Sequence, residues 1–126
     1  MDHFAALVEE FKDLDNFDRY QNILDWANDA EVLPQSKKLP QNLVAGCASN
    51  LWVDIDQNII KSDADAVITK GLASMFCDLF NKFTKQDAKM FDPKLLQSLG
   101  FVLSPSRANG MINLIFKLKE LKNDIK

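Results

Sequence analysis

A chain of 126 residues, 47% hydrophobic and 26% charged, is long enough for one domain with its own core and short for two. Its formal charge of −3 offers no general attraction to phosphate backbones or anionic membranes, which argues against nucleic-acid and membrane-surface binding. Two cysteines and one histidine are too few for a structural zinc or an iron–sulfur cluster within one chain, so a metal would need ligands from a partner. No apolar run approaches bilayer-spanning length. The opening Met1-Asp2-His3-Phe4 starts an amphipathic pattern with an early acid, unlike a basic signal or transit segment, and a cytoplasmic location is expected by elimination.

In chain order, Phe4, Leu7, Val8, Phe11 and Leu14 recur at helical spacing and predict a first helix with one buried stripe. Asp15-Asn16 interrupts it, and Phe17, Tyr20, Ile23, Leu24 and Ala27 predict a second helix with these side chains inward. The two prolines of Leu33-Pro34-Gln35-Ser36-Lys37-Lys38-Leu39-Pro40 bracket a loop. β-Branched and aromatic residues then predict short antiparallel strands near 42–46, 50–56 and 59–62, with a tight turn at Asp56-Gln57-Asn58. Cys47 falls between the first two of these.

Ser62-Asp63-Ala64-Asp65 predicts a helix start, capped either by Ser62 with Asp65 or by Asp63. The wide apolar face of Val67, Ile68, Leu72, Met75, Phe76, Leu79, Phe80 and Phe83 marks that helix as central. Asp92-Pro93 starts a short helix that Gly100 stops, and Ser104-Pro105-Ser106-Arg107 starts the last one. Leu114, Ile115, Leu118, Leu121 and Ile125 form its buried face. With no internal repeat and no linker, the expected architecture is α+β, a single domain over 1–126 with a small antiparallel sheet of about three strands packed on helices.

Cys47 is the candidate reactive residue. It sits in a turn beside Gly46, with small neighbours Ala48 and Ser49, rather than on an apolar stripe. Cys77, within the central helix, reads as structural. A thiol acts as its thiolate and needs a nearby cation or helix N-terminus. Arg107 sits in the first turn of a helix, where a cation is disfavoured. It is a candidate stabiliser of the sulfur anion, with a salt bridge to Asp63 or Asp65 as the competing reading. Asp65 is a candidate to orient Arg107 or to cap its own helix. His3, near the start of the chain, reads as solvated, which argues against a Cys-His hydrolase. Lys37-Lys38 and Lys82 with Lys85 are either contact patches for an acidic partner or solvating lysines.

Asn42, Val44, Gly46, Cys47, Ser49 and Trp52 meet the pattern Asn-x-Val-x-Gly-Cys-x-Ser-x-x-Trp. The stretch Asp65-Ala66-Val67-Ile68-Thr69-Lys70-Gly71-Leu72 and the stretch Ser104-Pro105-Ser106-Arg107-Ala108-Asn109-Gly110 follow at the matching spacing. Together they resemble the SufE/CsdE family of sulfur-acceptor proteins, whose fold is like that of NifU-type cluster scaffolds. The chain departs from that pattern at Ala64, where the family has serine, and at Thr69, where it has an apolar residue; neither is expected to touch the thiol.

The resemblance implies a carrier that takes persulfide sulfur from a cysteine desulfurase onto Cys47, stimulates that enzyme and passes sulfur to an iron–sulfur scaffold complex. It implies no cofactor on this chain, with pyridoxal phosphate on the partner, and leaves a homodimer open. It makes the chain a sulfur-transfer accessory rather than a stand-alone enzyme. A resting persulfide is expected to shelter in an apolar pocket walled by Trp52, Val44 and Leu72. A cluster-assembly scaffold and a non-catalytic interaction module are the alternatives. A scaffold needs several convergent ligands where only Cys47 is placed, and an interaction module would be indifferent to Cys47→Ser.

Overall fold

Why the chain turns where it does is clearest at its caps. The computed structural model describes residues 1–125. Helix α1 spans Asp2–Phe11 and buries Phe4, Leu7 and Phe11. Helix α2 spans Asn16–Asp29, and its N-cap Asp15 accepts a hydrogen bond from the Asp18 N–H at 2.8 Å. Only Ile23 and Ala27 of α2 are buried. Phe17 and Tyr20, expected inward, are 74% and 52% exposed. Both lie in the first half of α2, ahead of its first buried residue, Ile23.

The sheet is a single hairpin. Strand β1 (Leu51–Asp56) pairs antiparallel with β2 (Ile59–Ala64) from Leu51 opposite Ala64 to Asp56 opposite Ile59. Gln57 and Asn58 have φ of 52° and 63°, the left-handed pair that a two-residue hairpin turn demands. The expected third strand at 42–46 does not form. Pro40–Asn42 is a 3₁₀ turn with proline at its start, and only Leu43 bridges to Trp52 before Gly46 turns the chain away at φ +80°. The Val44 N–H still donates to the Leu51 carbonyl at 2.8 Å, so the segment is tied to β1 without becoming a strand.

The central helix α3 spans Val67–Lys82 and begins later than expected. Ser62, Asp63 and Ala64 complete β2, and the N-cap position is Ala66, which has no side-chain cap bond. Asp63 does not cap: its carboxylate meets Lys38 at 2.6 Å and accepts from the Ala64 N–H at 2.9 Å. The capping box read from Ser62 and Asp65 is absent because the ladder hydrogen bonds of β2 claim that stretch instead. Val67 is exposed, while Leu72, Met75, Phe76, Leu79 and Phe80 are buried as expected.

A short helix α4 (Lys85–Met90) follows, with a reciprocal capping box between Thr84 and Asp87 that the sequence reading passed over. Pro93–Leu99 forms 3₁₀ turns ending at Gly100. Helix α5 spans Pro105–Asp124 and is capped by Ser104, which accepts from the Arg107 N–H at 3.2 Å. One cluster of buried side chains draws on all five helices and both strands, with α3 packed against α2, β2 and α5. Phe91 sits among Phe4, Phe80 and Phe83 at ring distances of 5.0–5.7 Å, fastening α1 and the turns after α4 to α3.

Candidate functional site: the Cys47 cleft

Residues 45–50 form the connection between the Leu43 bridge and β1, and α5 holds that connection down. The Asn113 side-chain amide donates to the Ala45 carbonyl at 2.8 Å. A Cβ placed on Gly46 would lie 2.6 Å from the Asn109 amide nitrogen and 2.7 Å from that of Asn113. Gly46 is favoured by its positive φ, and a side chain there would also have to displace the Asn109 and Asn113 amides, the latter bonded to Ala45. The same helix seats the thiol: a Cβ on Gly110 would collide with Cys47 Sγ. Glycine inside the first half of a helix costs about 1 kcal/mol relative to alanine; here it makes room for sulfur.

Cys47 is half-buried and unpaired by any disulfide. It opens on a cleft of about 170 Å³. Ala48 and Ser49 contribute from the loop, Ala66 and Thr69 from the start of α3, and Ser104, Ser106, Arg107 and Met111 from α5. The expected union of Cys47 with Arg107 is therefore present. The expected apolar walls are not. Val44 is buried in the core, Trp52 lies beneath the Lys38 ammonium at 5.3 Å, and Leu72 faces neighbouring clefts. Ser49, Thr69, Ser104 and Ser106 line the thiol's cleft together with Ala48, Ala66 and Met111, so Thr69 shares the cleft with the thiol.

Burial pushes the Cys47 thiol above its ordinary pKa, so at rest the sulfur is protonated near neutral pH. Arg107 forms no ion pair among the described residues, with Asp63 and Asp65 included. Asp63 is committed to Lys38 and, at 3.7 Å, to Lys70. Asp65 is exposed, its N–H donates to the Asn50 carbonyl at 3.1 Å, and it is not part of the cleft wall. The structure brings Cys47 and Arg107 together and leaves Asp65 aside.

The other candidates fall away from this cleft. His3 lies on exposed α1. Cys77 is buried in α3, where desolvation drives its pKa up to about 12, and it is inert as a nucleophile at neutral pH. Lys37 donates to the Ile55 carbonyl at 2.5 Å, Lys82 pairs with Asp78 at 3.0 Å, and Lys85 donates to the Asn123 carbonyl at 3.2 Å. With Lys38 on Asp63, these lysines have internal partners. Among the described residues no three His, Cys, Asp or Glu side chains converge to hold a metal ion. No helix of the described residues is long and apolar enough to cross a membrane.

A second cleft, about 460 Å³, is apolar and shares only Met111 with the thiol's cleft. It carries no cysteine. Sequence reading missed Gly110 as the seat of the thiol. A glycine inside a helical pattern was the available signal, because it asks for a packing reason.

Comparison with known proteins agrees with this picture. A family model described as SufE, Fe-S metabolism associated domain, matches residues 5–122. An uncharacterized SufE-like protein of Synechocystis sp. is 30% identical over 95% of this chain and 79% of its own length. In fold, the chain is similar to the solution structure of a hypothetical protein from Thermus thermophilus. That match has a TM-score of 0.66 at 18% identity, covering 98% of this chain and 95% of the other.

Proposed function

The chain belongs to the SufE family of Fe-S metabolism associated domains, and from that premise we propose that it accepts persulfide sulfur from a cysteine desulfurase onto Cys47, stimulates that enzyme and hands the sulfur to an iron–sulfur scaffold complex. The observation that carries the reading is the placement of Cys47: a thiol in a glycine-shaped turn, opening on a cleft of mixed lining whose one guanidinium, Arg107, forms no ion pair among the described residues.

The step is an exchange at sulfur. The Cys47 thiolate attacks the terminal sulfur of the donor's persulfide, its new S–S bond forms as the donor's S–S bond breaks, and the donor cysteine leaves as thiolate. The proton that Cys47 gives up balances the departing thiolate. Two thiol-level sulfurs and one sulfane sulfur appear on each side, so no oxidant or reductant is consumed. Pyridoxal phosphate chemistry belongs to the desulfurase.

In this reading Arg107 is the electrostatic contributor. At rest it does not offset the burial that holds the thiol protonated. Its role is to favour the anion once a partner closes over the cleft and removes water, where a charge acts more strongly. Among the described residues, no side-chain hydrogen bond or ion pair of Asp65 supports an orienting role. A cluster scaffold has less support, because Cys47 is the only cysteine on the cleft.

The test is incubation with a cysteine desulfurase and cysteine, read by intact mass. Wild type is expected to gain sulfur that a reductant removes, and Cys47→Ser to gain none while still binding the desulfurase. Sulfur gain by Cys47→Ser, or none by wild type, overturns the proposal.

A further inference from the structure

Thr69 lies in the first turn of α3, only 5% exposed, on the wall of the cleft that Cys47 opens into. No hydrogen bond engages its hydroxyl among the described residues, and its oxygen is not among the polar atoms sealed from solvent without a partner. The hydroxyl therefore faces the cleft with a proton to donate. Open to the cleft rather than sealed from it, the hydroxyl is free to bond whatever occupies that space, water or ligand.

Opposite it stand the first residues of α5. Ser104 accepts the Arg107 N–H at 3.2 Å, which leaves its own O–H free to donate. Ser106 and the Arg107 side chain complete that wall, and Arg107 is the one charged residue on it. Cys47 Sγ has its back against Gly110. An atom bonded to Sγ cannot extend towards Gly110, and the cleft that Cys47 shares with these side chains is space open to it.

We infer that Thr69, together with Ser104, Ser106 and Arg107, forms a binding site for the anionic terminal sulfur of a Cys47 persulfide, with the Thr69 hydroxyl donating to it directly. This rests on the carrier reading of Cys47 and adds to it the chemical state in which the cargo is held. The walls carry hydroxyl donors and a guanidinium and no carboxylate, so they favour Cys47–S–S⁻ over its protonated form. Holding the anion makes the terminal sulfur a poor target for outside thiols, and its place between two helices limits their access.

The experiment loads purified wild type, Thr69→Val and Thr69→Ser with glutathione persulfide, which bypasses any desulfurase. Thiol exchange transfers the sulfane sulfur to Cys47 and releases glutathione. The rate at which iodoacetamide alkylates the terminal sulfur is then followed against pH by intact mass. Valine keeps the shape of threonine and removes only the donor. Thr69→Val is expected to raise the midpoint of the pH profile, lowering the rate on its acid side by about ten- to a hundredfold, as the loss of a hydrogen bond to a charged group predicts. Thr69→Ser is expected to follow wild type.

Coincident profiles for wild type and Thr69→Val overturn the inference, as does a Thr69→Ser profile that matches valine, or a Cys47 that glutathione persulfide cannot load. If glutathione persulfide loads Cys47 but a desulfurase does not, the carrier reading fails and the site is still read out.

Discussion

At the scale of single residues, Cys47 and Gly110 behave as one unit, because the sulfur of the first fills the place where a side chain on the second would stand. Gly110→Ala brings the helix propensity gain of about 1 kcal/mol but drives Cys47 out of its seat. The expected outcome is faster alkylation of the Cys47 thiol than in wild type, with little or no gain in stability. In a Cys47→Gly background the same substitution is expected to stabilise by about 1 kcal/mol, and denaturant titration of the four proteins reads the coupling. Equal effects in both backgrounds would refute the contact. Cys47 and Arg107 were legible in the sequence, since a thiol beside glycine and a cation in a helix's first turn both break ordinary preferences. Thr69 and Gly110 were not. A threonine in a helical apolar run passes for core, and the need for glycine at 110 arises from Cys47, a distant residue that spacing does not reveal.

Among the elements, the hairpin was read with its turn correct and its reach wrong. Gln57 and Asn58 advertise a two-residue turn, whereas the pull of 42–46 towards a strand lost to Pro40 and Gly46, which leave room for one bridge. The extension of β2 through Ala64 is held from the side by Asp63. Burial pushes the Asp63 carboxyl up, but the Lys38 ammonium, the Ala64 N–H and Lys70 together hold it below its ordinary value. Ionised Asp63 therefore stabilises the fold above the unfolded-state carboxylate pKa, and that contribution fades as pH falls through the lowered folded value. Asp63→Asn keeps the size and leaves Lys38, itself mostly buried, without its partner. It is expected to cost about 1–3 kcal/mol at pH 7, with the difference from wild type shrinking in acid, as urea titrations at pH 7 and pH 3 would measure. A constant difference across that range would refute the pairing.

For the molecule as a whole, the amphipathic stripes of α1, α3 and α5 were enough to place the core, and the departures are where the surface begins: Phe17, Tyr20 and Val67 share helical spacing with buried residues but sit ahead of the first buried residue of their helices. Cys77 reports on that core. Its pKa of about 12 when folded exceeds the unfolded value near 8.5, so its contribution to stability is complete below that unfolded value and is lost as pH rises towards the folded one. Between pH 8.5 and pH 10 the loss is on the order of 2 kcal/mol. In a Cys47→Ser background, adding Cys77→Ala is expected to flatten this alkaline decline, whatever its cost at neutral pH, in guanidinium titrations at the two pH values. Parallel declines with and without Cys77 would place the thiol elsewhere than in the sealed interior. The fastening of the thiol's turn by Asn113, and the notch at position 110 that receives its sulfur, also bear on engineering. Grafting the reactive turn alone onto another scaffold would transplant a cysteine without its socket; the portable unit is the turn plus the opening stretch of the last helix, discontinuous in sequence and contiguous only once folded.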